Sequence, residues 1–218
     1  MGLIIKELSK RIQKTVSPLT DKVLTGWDKV VEAVDLKTQQ RLKKFMEQGE
    51  KHTRYWLEDL RVDGKNSFDL KNERGDRKFQ VLRGARKGKT VYTVHSLVGR
   101  ELACLVEQKP FLDKVLRVED AAVTYELYDG EYKIGEAVVG MVEARRVTLK
   151  ANGLSLGGKS SEMQFWVQDD QGEILMVAGP YKEYLCLEIA QPAKEMACVL
   201  IALAVNLAAR VKAGEGIS

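Results

Sequence analysis

The sequence is poor in the side chains that most often bind metals or form cross-links. Its 218 residues include three cysteines, two histidines and four prolines. Cys104, Cys186 and Cys198 have no Cys-x-x-Cys spacing and lie in apolar runs, which favours buried free thiols in a reducing compartment. His52 and His95 are isolated from each other in the sequence. We therefore expect neither a disulfide framework nor a metal site.

Charge of one sign is not concentrated either. The net charge is +4, with 30% charged and 44% hydrophobic residues, which is typical of a folded globular protein. Dense stripes of lysine and arginine are absent, so we expect no nucleic-acid partner. Charged residues interrupt the opening run Leu3–Ile5, unlike a secretory signal. The expected location is the cytoplasm, either free or at the periphery of a membrane.

The N-terminal region has the period of amphipathic helices. Apolar side chains of residues 3–19 fall on one face at 100° per residue. The opposite face carries the cations Lys6, Lys10, Arg11 and Lys14. Pro18 ends this helix, and Thr20 with Asp21 provides a cap for the next. A third helix is predicted from about Leu36 to Leu60. Residues 1–62 are therefore predicted to form a basic helical arm.

This basic arm has more than one interpretation. An amphipathic basic helix can lie on an anionic membrane, where each lysine near the surface contributes roughly 1 kcal/mol. The same pattern can pack a helix against the rest of the chain or against a partner protein. A targeting peptide is a third interpretation, which Glu7 disfavours because such peptides are poor in acidic residues.

From Gly64 onward, short apolar runs alternate with glycine, asparagine and aspartate, which indicates strands. The predicted strands are Ser67–Lys71, Lys78–Leu82, Thr90–Leu97, Glu101–Gln108, Val115–Val118, Val123–Tyr128, Tyr132–Val139, Arg145–Ala151, Met163–Gln168, Ile174–Ala178 and Tyr184–Ile189. Because no helix separates them, they favour an antiparallel barrel or sandwich over βαβ units.

Glycine-containing turns join several of these strands. Asp129-Gly130 and the segment from Asp169 to Gly172 have the composition of hairpin turns, in which glycine adopts a positive φ. Asn152-Gly153 predicts a third turn. The segment Gly157-Gly158-Lys159-Ser160-Ser161 lacks the spacing and the following helix of a phosphate-binding loop, so we interpret it as a hairpin linker.

The C-terminal helix predicted over residues 193–212 is apolar on every face. Its uncharged run, from Met196 to Ala209, is shorter than the roughly 17 to 25 residues that a membrane-spanning helix needs. In water such a helix must be enclosed, and the preceding strands are the available enclosure. Its many alanines make it thin enough for the interior of a barrel of about a dozen strands. The fold class is therefore mainly β with α: a closed antiparallel barrel, within residues 63–218, around a central hydrophobic helix.

Short antiparallel strands with Asp-Gly hairpins, followed by the helix Ala197–Asn206, resemble the tubby C-terminal-like superfamily, which includes phospholipid scramblases and LURP-one-related proteins. The resemblance covers residues 66–212. It implies a twelve-strand barrel around a central hydrophobic helix and, for some members, binding to phosphoinositides or membrane lipids. One branch moves phospholipids with calcium through an acidic segment beside the final helix. Residues Glu188–Glu195 have no Asp-x-Asp pattern here, so calcium dependence is not expected.

Two basic clusters are candidate anion sites: Arg83, Arg86, Lys87 and Lys89 around Gly84 and Gly88, and the pair Arg145 and Arg146. Arginine and lysine in a glycine-containing turn can bind a lipid phosphate through charge-assisted hydrogen bonds. The alternative is a solvated hairpin tip whose lysines protect a strand edge from aggregation. The acidic pairs Glu119-Asp120 and Asp169-Asp170 flank predicted turns, where solvated carboxylates are common.

No nucleophile with a base, no metal-binding set and no cofactor loop can be assembled from these residues, so we expect a non-enzymatic protein without a cofactor. The hypothesis is an intracellular protein that binds a lipid headgroup, such as a phosphoinositide, or an anionic membrane surface. The alternative is a protein-interaction or oligomerisation module that acts through residues 1–60, with the barrel as scaffold.

Overall fold

A computed structural model describes residues 34–58, 60, 65–108, 123–140, 147–181 and 184–210. Its strands are β1 (Thr53–Glu58), β2 (Ser67–Lys71), β3 (Arg77–Arg86), β4 (Lys89–Ser96), β5 (Glu101–Gln108), β6 (Val123–Asp129), β7 (Tyr132–Val139), β8 (Val147–Ala151), β9 (Leu154–Lys159), β10 (Gln164–Asp169), β11 (Ile174–Tyr181) and β12 (Tyr184–Ile189). Its α-helices are α1 (Leu36–Glu47) and α2 (Glu195–Arg210).

The twelve strands form one closed antiparallel barrel, as predicted. Each strand pairs with its neighbours along the chain, and β1 pairs with β12 from Thr53↔Ile189 to Glu58↔Tyr184 to close the sheet. Closure leaves none of the twelve described strands at an edge. Along β1, Tyr55 and Leu57 face the interior while Trp56 faces outward, which is the alternation that one buried face requires.

Helix α2 occupies the barrel interior. Every side chain from Cys198 to Val205 is fully buried, and these residues share one core with the inward-facing side chains of the strands. Burial raises the pKa of the Cys198 thiol to about 12, so this cysteine stays protonated. The buried Asn206 accepts a hydrogen bond through Oδ1 from the backbone N–H of Leu60, at 3.3 Å.

Neither α1 nor α2 is long and apolar enough to cross a membrane, and the described part of the chain contains no other helix that is.

Helix α1 packs on the outside of the barrel. Asp35 caps its N-terminus by accepting a hydrogen bond from the backbone N–H of Thr38 at 3.0 Å. The apolar face of α1 covers the outer face of β10 and β11, with contacts among Leu42, Phe45, Met46, Trp166, Ile174 and Val177. Lys44 adds an ion pair with Glu173, 3.1 Å from Nζ to the carboxylate. The end of the predicted arm that the structure describes is therefore docked on the barrel.

A buried ionic network holds the connection between α1 and β1. Glu188 on β12 is only 8% exposed. One of its oxygens lies 2.8 Å from His52 Nδ1 and the other accepts a hydrogen bond from Arg54 Nε at 3.2 Å. Arg54 also donates to the carbonyl of Gly49 and to Glu73, each at 2.6 Å. Because loss of one member would leave others buried without a partner, the network fixes how the chain enters the barrel.

Two predictions of secondary structure are wrong. The helix predicted from Leu36 to Leu60 ends at Glu47, and Thr53–Glu58 forms β1 within the barrel, inside the range assigned to the arm. Pairing with β12 and β2 outweighs the weak helical pattern of this segment. Of the predicted linker Gly157–Ser161, the first three residues lie in β9, which pairs with β10, while Ser160 and Ser161 lie in the short connection between these strands. The predicted strand Val115–Val118 lies outside the described residues.

The other predicted strands are confirmed, although β3 continues to Arg86 and β11 to Tyr181, beyond the predicted ends, and residues 145–146 lie outside the described ranges. The three hairpin turns and the C-terminal helix are confirmed as well. Gly130, Gly153 and Gly172 all have positive φ. These turns connect β6 to β7, β8 to β9 and β10 to β11.

Gly157 gives a test of this packing. A Cβ atom at Gly157 would collide with the ring of Trp166, which is nearly buried beneath α1, whereas one at Gly84 in β3 would meet no atom within 4 Å. We expect Gly157→Ala to lower the free energy of unfolding by about 1–3 kcal/mol through overpacking. The matched change Gly84→Ala should stay within about 0.5 kcal/mol of wild type. Urea unfolding measures both, and equal stability of the two variants would contradict the packing described.

Candidate functional site

The hairpin between β3 and β4 carries the first predicted basic cluster. Its turn residues, Lys87 and Gly88, have φ values of 50° and 74°, the positive pair that a two-residue hairpin turn with the correct twist requires. Arg86 pairs with Lys89 across the turn. The side chains of Arg83, Arg86, Lys87 and Lys89 are all exposed. We call these four residues and the turn between them the basic hairpin.

The basic hairpin extends beyond the barrel wall. Strand β3 pairs with β2 only as far as Leu82, and β4 pairs with β5 from Val91 onward. Only the pairs Ala85↔Thr90 and Arg86↔Lys89 lie beyond both of these points, since Val91 and Tyr92 also pair with β5 and the backbone N–H of Arg83 donates to the carbonyl of Asn66 at 2.8 Å. Arg86, Lys87 and Lys89 therefore lie at the tip of the hairpin, and Arg83 lies where β3 leaves its pairing with β2.

One of the four cations is already paired. Arg86 donates from both terminal nitrogens to the two carboxylate oxygens of Glu101, with the Nη1 contact at 3.0 Å. The hydrogen bond from Arg86 lowers the pKa of Glu101, and the same contact raises the pKa of Arg86. Arg83, Lys87 and Lys89 form no ion pair with any described residue. Arg86 is thus the one cation of the hairpin that is paired within the described part of the chain.

The other six predicted cations fall outside the residues that the structure describes. These are Lys6, Lys10, Arg11 and Lys14 in the arm, and Arg145 and Arg146 before β8. Strand directions show that β3 ends, β7 ends and β8 begins at one end of the barrel, which is the end where Asn206 contacts Leu60. The structure brings Arg83, Arg86, Lys87 and Lys89 together and gives no position for the rest.

The acidic pair Asp169-Asp170 has a structural explanation. Asp169 Oδ1 accepts hydrogen bonds from the backbone N–H groups of Gln171 and Glu173, at 3.0 and 2.8 Å. These bonds shape the turn between β10 and β11. Within the described ranges, no group of three or more histidine, cysteine, aspartate or glutamate side chains is arranged to hold a metal ion. The pair Glu119-Asp120 lies outside those ranges.

Sequence reasoning missed a second unusual surface. Leu97 and Val98, in the turn between β4 and β5, are 59% and 89% exposed, and Tyr132 at the start of β7 is 81% exposed. The predicted strand Thr90–Leu97 treated Leu97 as part of a sheet. The signal available was the position of two branched apolar residues directly before Gly99, where a polar turn would be expected.

Comparison with known proteins adds little to this geometry. No protein-family model matches the sequence, and no match was found among curated proteins. Among solved structures, the chain is similar to an X-ray structure of protein AT5G01750 from Arabidopsis thaliana, with a TM-score of 0.47 and 8% sequence identity. The similarity covers 72% of this chain and 91% of that chain.

The Arg86–Glu101 pair gives a pH-dependent test of how the basic hairpin is held. Because its folded-state pKa is lowered, Glu101 stabilises the fold above its unfolded pKa of about 4.3, and this contribution disappears as pH falls through the folded value. At pH 7 we expect Glu101→Gln to lower the free energy of unfolding by about 0.2–1 kcal/mol, since the pair is partly exposed.

Urea unfolding from about pH 7 to pH 3 measures this difference. Wild type and Glu101→Gln should converge in stability at the acidic end. Glu131→Gln, which changes an exposed carboxylate without an ion pair to a described residue, is the control and should have little effect at any pH. A cost of Glu101→Gln that stays constant with pH would show that the carboxylate charge is not what Arg86 requires.

Proposed function

We propose that the chain is a non-enzymatic lipid-binding protein whose basic hairpin contacts the phosphate groups of anionic phospholipids, including phosphoinositides. The observation that carries this proposal is the set of three exposed cations, Arg83, Lys87 and Lys89, which lie on one hairpin and form no ion pair with a described residue. Phosphate oxygens accept charge-assisted hydrogen bonds from such groups. The arm cations Lys6, Lys10, Arg11 and Lys14, with Arg145 and Arg146, are proposed as further contacts.

The rigidity of the basic hairpin supports this proposal. The positive-φ turn and the bidentate Arg86–Glu101 pair fix the backbone that carries the three cations without an ion pair to a described residue. A preorganised site loses less conformational entropy when it binds an anion. Protection of a strand edge, the alternative explanation for the lysines, concerns only the tip pairs Ala85↔Thr90 and Arg86↔Lys89, because the rest of the described sheet is closed.

We also propose that the barrel is of the tubby-like type found in phospholipid scramblases and LURP-one-related proteins. Twelve antiparallel strands around a fully buried C-terminal helix support this relationship. The interior is filled by α2, so a bound lipid headgroup would contact the outer surface or the hairpin turns. Calcium is not part of the proposal.

The protein-interaction alternative depends on apolar residues of the arm. Val34, one of those residues, packs against the cluster that joins α1 to the barrel. The apolar face of α1 is likewise covered by β10 and β11. Part of the surface that this alternative requires is therefore already used within the chain, while Trp27, Val30 and Val31 lie outside the described residues.

Neutralisation of the basic hairpin tests the proposal. The variant Arg83→Gln/Lys87→Asn/Lys89→Gln removes three charges, and asparagine is chosen before Gly88 because an Asn-Gly pair is strongly preferred in a turn of this type. Each cation near an anionic surface contributes about 1 kcal/mol, so we expect affinity for vesicles containing phosphatidylserine or a phosphoinositide to fall by about 100-fold. Co-sedimentation at low salt measures the change.

The matched control removes three positive charges from other parts of the protein surface. Lys37→Gln/Arg74→Gln/Lys150→Gln changes three exposed cations that form no ion pair with a described residue. This variant should keep most of the wild-type affinity. Equal losses in both triple variants would mean that only net charge matters, and unchanged binding by the hairpin variant would contradict the proposed site.

A further inference from the structure

The turn between β4 and β5 holds two apolar side chains in solvent. Leu97 is 59% and Val98 is 89% exposed. The other four hairpin turns at this end of the barrel have polar residues or glycine at their centres: Glu73-Arg74, Gly130-Glu131, Asn152-Gly153 and Asp170-Gln171. Turn chemistry therefore does not account for Leu97 and Val98, since neither residue type is favoured in a turn.

The exposure of this turn is fixed by its hydrogen bonds. The backbone N–H of Ser96 donates to the carbonyl of Arg100 at 2.9 Å, and the N–H of Gly99 donates to the carbonyl of Ser96 at 3.0 Å. The Ser96 hydroxyl accepts from the N–H of Arg100 at 3.2 Å, and Gly99 has a φ of 78°. The turn thus presents its two apolar side chains in a defined conformation.

The surroundings of the turn are amphipathic. Tyr132, 81% exposed, lies on the neighbouring hairpin, whose Gly130 donates its N–H to the carbonyl of Leu102 at 2.8 Å. Arg100 follows the apolar pair, is exposed and forms no ion pair with any described residue. An apolar tip beside a tyrosine and an arginine matches the layers of a membrane interface, where tyrosine and arginine remain at the headgroup level.

The size and shape of this surface favour a bilayer over a protein. Stable protein interfaces bury about 800 Å² per partner and involve roughly 20–30 residues on each side. Here the exposed apolar groups are three side chains on two convex turns. A convex tip of this size can insert between lipid headgroups, which rearrange around it, without a matching concave partner.

We propose that the Leu97–Arg100 turn is a membrane-inserting tip: Leu97 and Val98 enter the apolar side of the headgroup boundary, with Tyr132 and Arg100 at the headgroups. This inference rests on the proposed function, because both place the barrel on a lipid surface. Leu97 follows one end of β4 and the basic hairpin precedes the other. A barrel that lies with β4 along the membrane brings an apolar and an electrostatic contact to the same surface.

The two contacts can be separated by salt, because charge interactions are screened and apolar insertion is not. Co-sedimentation of the full chain would use vesicles of phosphatidylcholine alone and of phosphatidylcholine with phosphatidylserine, each at low and high salt. The test variant is Leu97→Ser/Val98→Ser. Leu36→Ser is the matched control, since Leu36 is a 76% exposed apolar residue on α1, away from this turn.

For the tip variant we expect partitioning into both kinds of vesicle to fall about tenfold, because the partial burial of two apolar side chains is lost. The binding that remains at high salt should be affected most. Leu36→Ser should bind as wild type does. Thermal unfolding should show all variants folded, since the substituted side chains are exposed. Light scattering of the wild-type chain checks whether the tip joins two copies instead.

The outcomes distinguish this inference from the proposed function. If the tip variant binds vesicles as wild type does, or if Leu36→Ser loses as much vesicle binding as the tip variant, the proposed insertion is wrong. Salt-sensitive binding through the basic hairpin is not contradicted by either result. If the tip variant loses binding to neutral vesicles and the hairpin variant binds normally, the insertion stands and the headgroup site is wrong. The proposed insertion would be overturned if the wild-type chain forms dimers and the Leu97→Ser/Val98→Ser variant is monomeric. It would also be overturned if the wild-type chain does not bind vesicles.

Discussion

The rest of the structure depends on the enclosure of α2. A helix with apolar side chains on every face is stable in water only when its whole circumference is covered, and the twelve strands provide that cover. Closure in turn requires β1, which joins β12 to β2, and β1 is held in place by Glu188, His52 and Arg54 on its outer side. The ionic network and the docking of α1 are therefore part of what keeps the barrel closed.

Much of this fold could be predicted because local pattern and tertiary structure agree. Strands such as Glu101–Gln108 and Tyr132–Val139 alternate or are bounded by turn residues, and the C-terminal helix is too apolar for any exposed position. The two wrong predictions of secondary structure occurred where the local sequence pattern and the tertiary structure disagree. Thr53–Glu58 follows a real helix with no proline between them, and its strand state depends on a partner far along the chain, β12. Leu154–Lys159 contains two glycines, which weaken any strand signal, yet Gly157 is needed to admit the ring of Trp166.

The candidate site could be predicted only in part, for the same reason. Lys87-Gly88 shows from sequence alone that a turn carries basic residues, but the pairing of Arg86 with Glu101 joins two strands that are not adjacent in the barrel. Only the structure distinguishes the paired cation from Arg83, Lys87 and Lys89. Exposure of Leu97 and Val98 was missed because an apolar pair after a strand resembles a continuation of that strand. Hydrogen bonds between Ser96 and Arg100 are what end it.

A filled, closed barrel restricts where such a protein can bind anything. Its interior is occupied by α2 and its twelve strands close on one another, so neither binding inside the barrel nor strand addition to an edge of the sheet has a place in the described part of the chain. The outer face and the hairpin turns are the described surfaces that remain for the proposed binding. Turns differ from strands in that their side chains are not constrained by the alternation that packing requires, so charge or apolar character can change there without cost to the core. The basic hairpin and the Leu97–Arg100 turn depart from ordinary turn composition in opposite ways, one by charge and one by apolar character, and they lie at the two ends of β4. A single strand therefore separates the proposed electrostatic contact from the proposed apolar contact, so under this proposal the fold itself would set the orientation of the barrel on a membrane.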